Sequence, residues 1–154
     1  MISNAKKLVT VLKRGGGLGP EILTDWDMEA AGVTSWPAYS SPTTREKSVA
    51  EAYDGSQSLH IVSGGGAMGA QQVYNLVTGK TYRVSAWVKC VTGTGTVYSN
   101  IGNAGQVAVG STAATVWTEI TADILCGLGS ARSILLLFDG SNEGFFDNVS
   151  VRKL

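Results

Sequence analysis

The chain has 154 residues, enough for one domain with a core of its own. Charged residues make up 16% and glycine accounts for 20 positions; ordinary soluble domains carry roughly 25% charge, so the composition is that of a β-rich protein with many tight turns. A net charge of zero speaks against a general nucleic-acid binder, which would be plainly basic, and no stretch approaches the roughly 18 apolar residues of a membrane span.

The amino-terminal segment is unlike the rest. Lys6, Lys7, Lys13 and Arg14 give the first fourteen residues a charge of +4 and leave −4 on the remainder. Leu8, Val11 and Leu12 supply an apolar stripe that suits one short amphipathic helix or an added strand. The run LVTVL is shorter than the roughly 7–15 apolar residues of a secretion signal, so the expectation is a protein made and kept inside a cell. The glycine run of GGGLGPE, closed by Pro20, ends this arm. Residues 1–20 are therefore read as a basic, apolar arm and residues 21–154 as the folded body. A basic arm on an acidic body can dock onto a neighbouring copy or another acidic surface; a solvated tail is the competing reading.

Beyond Pro20 the pattern is β throughout. ILTDWDM opens the body, and a loop carrying Trp36 and Tyr39 follows. REKSVAEAY, SLHIV, AQQVYNL, the long alternating KTYRVSAWVKCV, VYSNIG, QVAVG, TVWTEITADIL, ARSILLLFD and GFFDNVSVRK come next, separated by glycine-rich turns. Eight to ten short strands and no convincing helix predict an all-β fold, a sandwich or barrel. In ARSILLLFD both parities are apolar, so this strand is expected at the centre of a sheet and covered on both faces. Trp26 and Trp117 fall in strand-like segments and are read as core. Cys90 and Cys126 lack any metal-ligand spacing and read as buried thiols, with a disulfide left open.

Two details bear on function. On KTYRVSAWVKCV, Tyr82, Val84, Ala86, Val88 and Cys90 share the core parity, which puts Trp87 outside with Arg83 and Lys89. An outward tryptophan flanked by cations suits stacking on a sugar ring; the same face could equally be covered by the arm or a neighbouring subunit. Trp36 and Tyr39 are secondary candidates. In FFDNVSV, strict alternation places Asp147 with Phe145, Val149 and Val151 on a buried face, where a carboxylate needs a partner. Enzyme readings find little: His60 stands alone on a strand, no serine has a nucleophile elbow, and neither GGGLGPE nor GGGAMG contains the lysine of a phosphate loop.

The ordered set EILTDWDMEAAGVTSW, DGSQSLHI, VTGKTYRVSAWVKC, TVWTEITADI and FFDNVSV resembles carbohydrate-binding modules of families 4 and 9, which are galactose-binding-like jelly rolls. The resemblance covers about residues 21–154 and implies a single antiparallel jelly-roll β-sandwich, here with an extended N-terminal arm. It also implies a structural calcium between the early acidic segment and the final aspartate. Motif matching gives Glu29 and Asp147 as ligands, with Asp25 a weaker one, although Asp25 and Met28 replace the usual Asn and Phe. The alternative is that Asp147 caps backbone N–H groups, pinning the first strand to the last.

A leader ending LGPE before such a jelly roll is similar to tailed-bacteriophage virion proteins. The expected function is thus a non-enzymatic virion structural protein, a capsid decoration, cement or head-fibre component assembled in the host cytoplasm. Its arm (Lys6, Lys7, Leu8, Val11, Leu12, Lys13 and Arg14) would bind a major capsid protein, another virion protein or neighbouring copies. The alternative is a glycan-binding module or adhesin that captures cell-surface sugars through aromatic residues. Neither reading requires a cofactor, a nucleic acid or a membrane, and the structural calcium stays open beside the capping alternative.

Overall fold

A computed structural model describes residues 17–102, 105–127 and 132–154; the arm residues from Lys6 to Arg14 lie outside these. Ten strands are found among the described residues: β1 (Ala38–Tyr39), β2 (Thr44–Ser48), β3 (Ser58–Val62), β4 (Met68–Val73), β5 (Thr81–Thr92), β6 (Gly95–Gly102), β7 (Gly105–Thr112), β8 (Thr118–Leu125), β9 (Ser133–Phe138) and β10 (Glu143–Lys153). They form two antiparallel five-stranded sheets, β1-β4-β9-β6-β7 and β2-β3-β10-β5-β8. This is the expected all-β sandwich of jelly-roll type.

Alternation builds the core. Val84, Ala86 and Val88 of β5, Leu59 and Ile61 of β3 and Ile120 and Ile124 of β8 face Ile134, Leu136 and Phe138 of β9 and Val97 of β6. Phe138 and Phe146 meet across the sheets with ring centroids 5.2 Å apart, and each fully buried large apolar side chain stabilises by about 1.5–3 kcal/mol. Gly144 makes that contact geometrically allowed, because a Cβ there would collide with the Phe138 ring and the Lys89 carbonyl. Strand β9 is central in its sheet and buried along its whole length, as its sequence requires.

Strand β10 departs from strict alternation. Asp147 pairs with Trp87 and Ser150 with Ser85 on β5, so Asn148 and Val149 together oppose Ala86. This is a β-bulge, and Asn148 adopts φ of 41°, a left-handed conformation that asparagine tolerates well. The extra residue switches the parity. Phe146 faces the core before the bulge, and Val149 and Val151 face it afterwards. Phe145 and Asp147 are left on the outer face, not in the core with Val149 and Val151 as unbroken alternation predicts.

The opening segment is irregular rather than a strand: residues 17–37 have no strand assignment. It nevertheless follows β10. Gly19 N–H donates to the Lys153 carbonyl (2.8 Å), Ile22 to Val151 (3.2 Å), and Val149 N–H donates to Trp26 (2.8 Å). β3 pairs only with Glu143–Phe146 of β10, so the opening segment takes over where β3 ends. Glu21 locks the join, accepting from Ser150 Oγ (2.6 Å), Val151 N–H (2.9 Å) and Arg152 Nε (3.0 Å). Cys90 and Cys126 are both free and buried, and burial pushes the Cys90 thiol up from its ordinary range.

Candidate functional site

The outer face of the β2-β3-β10-β5-β8 sheet carries Trp87, as its parity predicts, but the indole is not bare. Tyr53 lies on it with centroids 3.7 Å apart and rings 11° from parallel, and Trp117 meets Tyr53 edge-on at 6.1 Å. Tyr53 is held in place because its N–H donates to Asp147 Oδ2 at 2.8 Å. The charges around this stack are paired within the chain. Lys89 bonds Glu51 at 2.6 Å, Arg83 makes a two-pronged contact with Asp123 at 2.7 and 2.8 Å, and His60, stacked on Phe145, reaches Glu143 at 2.8 Å. The shallow depression beside Arg83, Glu119 and Asp123 is walled by these same groups.

The remaining aromatic candidates divide. Trp36 is fully buried, with Nε1–H donating to the Asp25 carbonyl at 3.0 Å, so it is a core residue and not a glycan platform. Trp26 and Trp117 lie outside the strands. Trp26 packs partly buried against the core beneath the Arg152 guanidinium. Tyr39 remains available, on the opposite sheet.

Each of the three carboxylates expected to share a calcium has partners within the chain. Asp147, fully buried, accepts the N–H groups of Tyr53 (2.8 Å), Asp54 (3.3 Å) and Asn148 (2.7 Å). Burial raises its pKa, those three hydrogen bonds oppose the rise, and the nearby Glu29 charge adds to it. Glu29 instead accepts from Ser56 Oγ (2.5 Å), Ser56 N–H (2.9 Å) and Gln57 N–H (3.1 Å), and the Ser56 hydroxyl above all pulls its pKa down. Asp25 binds Lys47 Nζ (2.6 Å) and Ala30 N–H (2.8 Å). Among the described residues no group of three or more His, Cys, Asp or Glu could hold a metal ion. Asp147 caps backbone donors, as one of the two readings of the sequence has it. The loop it caps is 53–54, however, and the opening segment reaches the last strand through backbone bonds instead.

The outer face of the β1-β4-β9-β6-β7 sheet has a different character. Leu135 and Leu137 are 1% and 3% exposed although they stand on the opposite parity from the core residues Ile134, Leu136 and Phe138. Their neighbours cover them almost completely. The register aligns Tyr39, Gly69, Leu137 and Thr96 in one row and Gln71, Leu135, Tyr98 and Ala108 in the next. Asn100 and Ser133, linked at 3.0 Å, follow. Tyr39 and Tyr98 are partly exposed and stand three strand spacings apart, roughly 14 Å at about 4.8 Å per strand. Every one of these side chains is uncharged. Tyr98, Gln71 and Asn100 carry no sequence motif; VYSNIG shows only that Tyr98 lies opposite the core residue Val97.

The family model CBM_4_9, a carbohydrate binding domain, matches residues 21–143, and the chain belongs to that family. No curated protein matches the chain. Among solved structures it is similar to the tandem CBM22-1–CBM22-2 domain of Paenibacillus barcinonensis Xyn10C, with a TM-score of 0.70 and 19% identity over 91% of this chain and 47% of that one. The chain thus spans about half of that tandem. TmCBM61 in complex with beta-1,4-galactotriose aligns at TM-score 0.65 and 15% identity, covering 88% of this chain and 100% of the other. The enzymatically active domain of tailspike protein 4 of bacteriophage CBA120 aligns at TM-score 0.66 and 14% identity, over 87% and 21%. At these identities the likeness is one of fold.

Proposed function

We propose that this chain is a non-catalytic glycan-binding module whose site is the outer face of the β1-β4-β9-β6-β7 sheet. The observation that carries the reading is the pair of part-exposed tyrosines, Tyr39 and Tyr98, on rows without charge. Sugar rings present apolar C–H faces that pack on tyrosine rings, while their hydroxyls need hydrogen-bonding groups at the margin. Gln71, Thr96 and Asn100 supply those. The absence of charge from the rows of this face suits a neutral glycan, and the separation of Tyr39 and Tyr98 suits an oligosaccharide lying across the strands rather than a single sugar. Family membership supports glycan capture over the virion structural role, for which neither the fold nor the family gives support.

The test is affinity electrophoresis or calorimetry of the full chain against a panel of neutral β-linked polysaccharides, beginning with β-1,4-galactan. Binding by the wild type that is lost in Tyr98→Ala and Tyr39→Ala and retained in Trp87→Ala supports the assignment. Binding lost only in Trp87→Ala would move the site to the other sheet.

A further inference from the structure

Strand β2 puts two cations, Arg45 and Lys47, beneath the loop of residues 25–36. They share the parity of their partners Ile61 and Leu59, which face the core. Arg45 donates to the carbonyls of Val33 (2.9 Å) and Trp36 (2.5 Å). Lys47 is the more telling of the two. Its Nζ touches Asp25 Oδ2 at 2.6 Å, the Met28 carbonyl at 2.7 Å and the Ala30 carbonyl at 3.0 Å. An ammonium has three N–H donors, and each has an oxygen. The side chains of Lys47 and Asp25 are 5% and 2% exposed.

One carboxylate and converging backbone carbonyls are the donor set that a hard cation takes in proteins. The backbone is bent to provide it, since Asp25 and Met28 both adopt left-handed φ values of 48° and 59°, which cost energy in non-glycine residues and persist only where surrounding contacts hold them. Gln57 Nε2 donates to the same two carbonyls, at 2.8 and 3.2 Å. By contrast, the carboxylates of Glu29 and Asp147 accept from backbone N–H groups.

We infer that the oxygens of Asp25, Met28 and Ala30 form a cation site that the chain fills with its own Lys47 ammonium, in place of the calcium its family resemblance implies. The first loop of the module is then held at any calcium concentration, and no chelator removes its cation. This inference is independent of where a glycan binds, because its readout is thermal stability.

The experiment measures Tm for the full chain, as wild type, Lys47→Ala and Lys47→Met, with EDTA, calcium chloride, methylammonium chloride or tetramethylammonium chloride at matched ionic strength. The wild type is expected to give the same Tm with EDTA and with calcium. Both variants should melt roughly 6–12 °C lower, the scale expected for removing one partner of a buried ion pair in a chain of this size. Lys47→Ala should recover part of that loss with calcium or methylammonium but not with tetramethylammonium, which is too large and has no N–H. A wild-type Tm that falls with EDTA and returns with calcium overturns the inference and remains decisive if neither variant folds. So does a wild-type Tm in Lys47→Met, or a Lys47→Ala protein that responds equally to all three salts.

Discussion

The two outer sheet faces of this sandwich come from the same alternating strands but have been put to opposite uses. On the β2-β3-β10-β5-β8 sheet the outward positions are filled by groups that satisfy one another: Tyr53 on Trp87, Lys89 with Glu51, Arg83 with Asp123, His60 with Glu143. On the β1-β4-β9-β6-β7 sheet the rows through Leu135 and Leu137 are uncharged, and among the described residues the hydroxyls of Tyr39 and Tyr98 bond to nothing in the chain. A face whose groups are paired internally has little left to offer a ligand, because each new bond must first break an old one. On the neutral face the two tyrosine hydroxyls carry no such cost, although Gln71 and Asn100 already donate within the chain. What separates the two is that the aromatic residues of the first stack on one another.

The largest effect expected from this contrast is on binding. Tyr98→Ala should weaken glycan affinity at least about tenfold, since losing one packed aromatic face forfeits on the order of 1.5 kcal/mol and about 1.4 kcal/mol is a factor of ten. Because the face is neutral, affinity should change little between low and 0.5 M salt. Calorimetry at both ionic strengths checks this, and a steep salt dependence would point to the charged face instead.

Trp87→Ala should do the reverse. It removes a half-buried indole from beneath Tyr53 and loosens the loop that Asp147 caps. Truncating a fully buried aromatic costs about 3–5 kcal/mol, so about 2 kcal/mol is expected here, with glycan affinity within twofold of wild type. Urea unfolding and binding measured on the same preparation separate the two readouts.

How far these faces could be read in advance follows from the range of the signals involved. The outward placement of Trp87 and the double burial of β9 depend only on local alternation, and both are legible in KTYRVSAWVKCV and ARSILLLFD. The bulge at Asn148 is not: FFDNVSV reads as unbroken alternation, and one inserted residue turns every later side chain over. That is why Asp147 belongs with Trp87 outside rather than with Val149 inside. Tyr39, Gln71, Tyr98 and Leu135 come together only through the sheet order β1-β4-β9-β6, which no local pattern contains. Trp36 looked available because its segment is a loop, but the loop folds over the core and its indole N–H is used there. Lys47 reads as an ordinary strand charge until the loop of residues 25–30 is seen to close on it.

Asp147→Ala tests the cap itself. It strips the acceptor from three N–H groups, two of them 93 or 94 residues away in sequence, and an unmade buried hydrogen bond costs about 1–3 kcal/mol. The loss should appear as faster amide exchange at Tyr53 and Asp54, while Tyr98 is untouched.

The smallest effect is the most specific to the charged face, and it is one of sign. Asp123, fully exposed, has its pKa lowered chiefly by the hydrogen bond from Arg83. A depressed native pKa contributes stability above the ordinary carboxylate range, and that contribution is lost as pH falls through the native value. Asp147 has its pKa raised, mainly by burial, so its contribution runs the other way: present below the ordinary carboxylate value and lost as pH rises through the elevated one. The Tm of wild type minus that of Asp123→Asn should therefore shrink on acidification, whereas wild type minus Asp147→Asn should grow. The Asp123 difference should also fade at 0.5 M salt, because solvent and ions screen an exposed pair, and the Asp147 difference should persist there. Parallel slopes in the two series would mean that Asp147 is not isolated from solvent by Tyr53, and the closed aromatic stack over Trp87 would have to be given up.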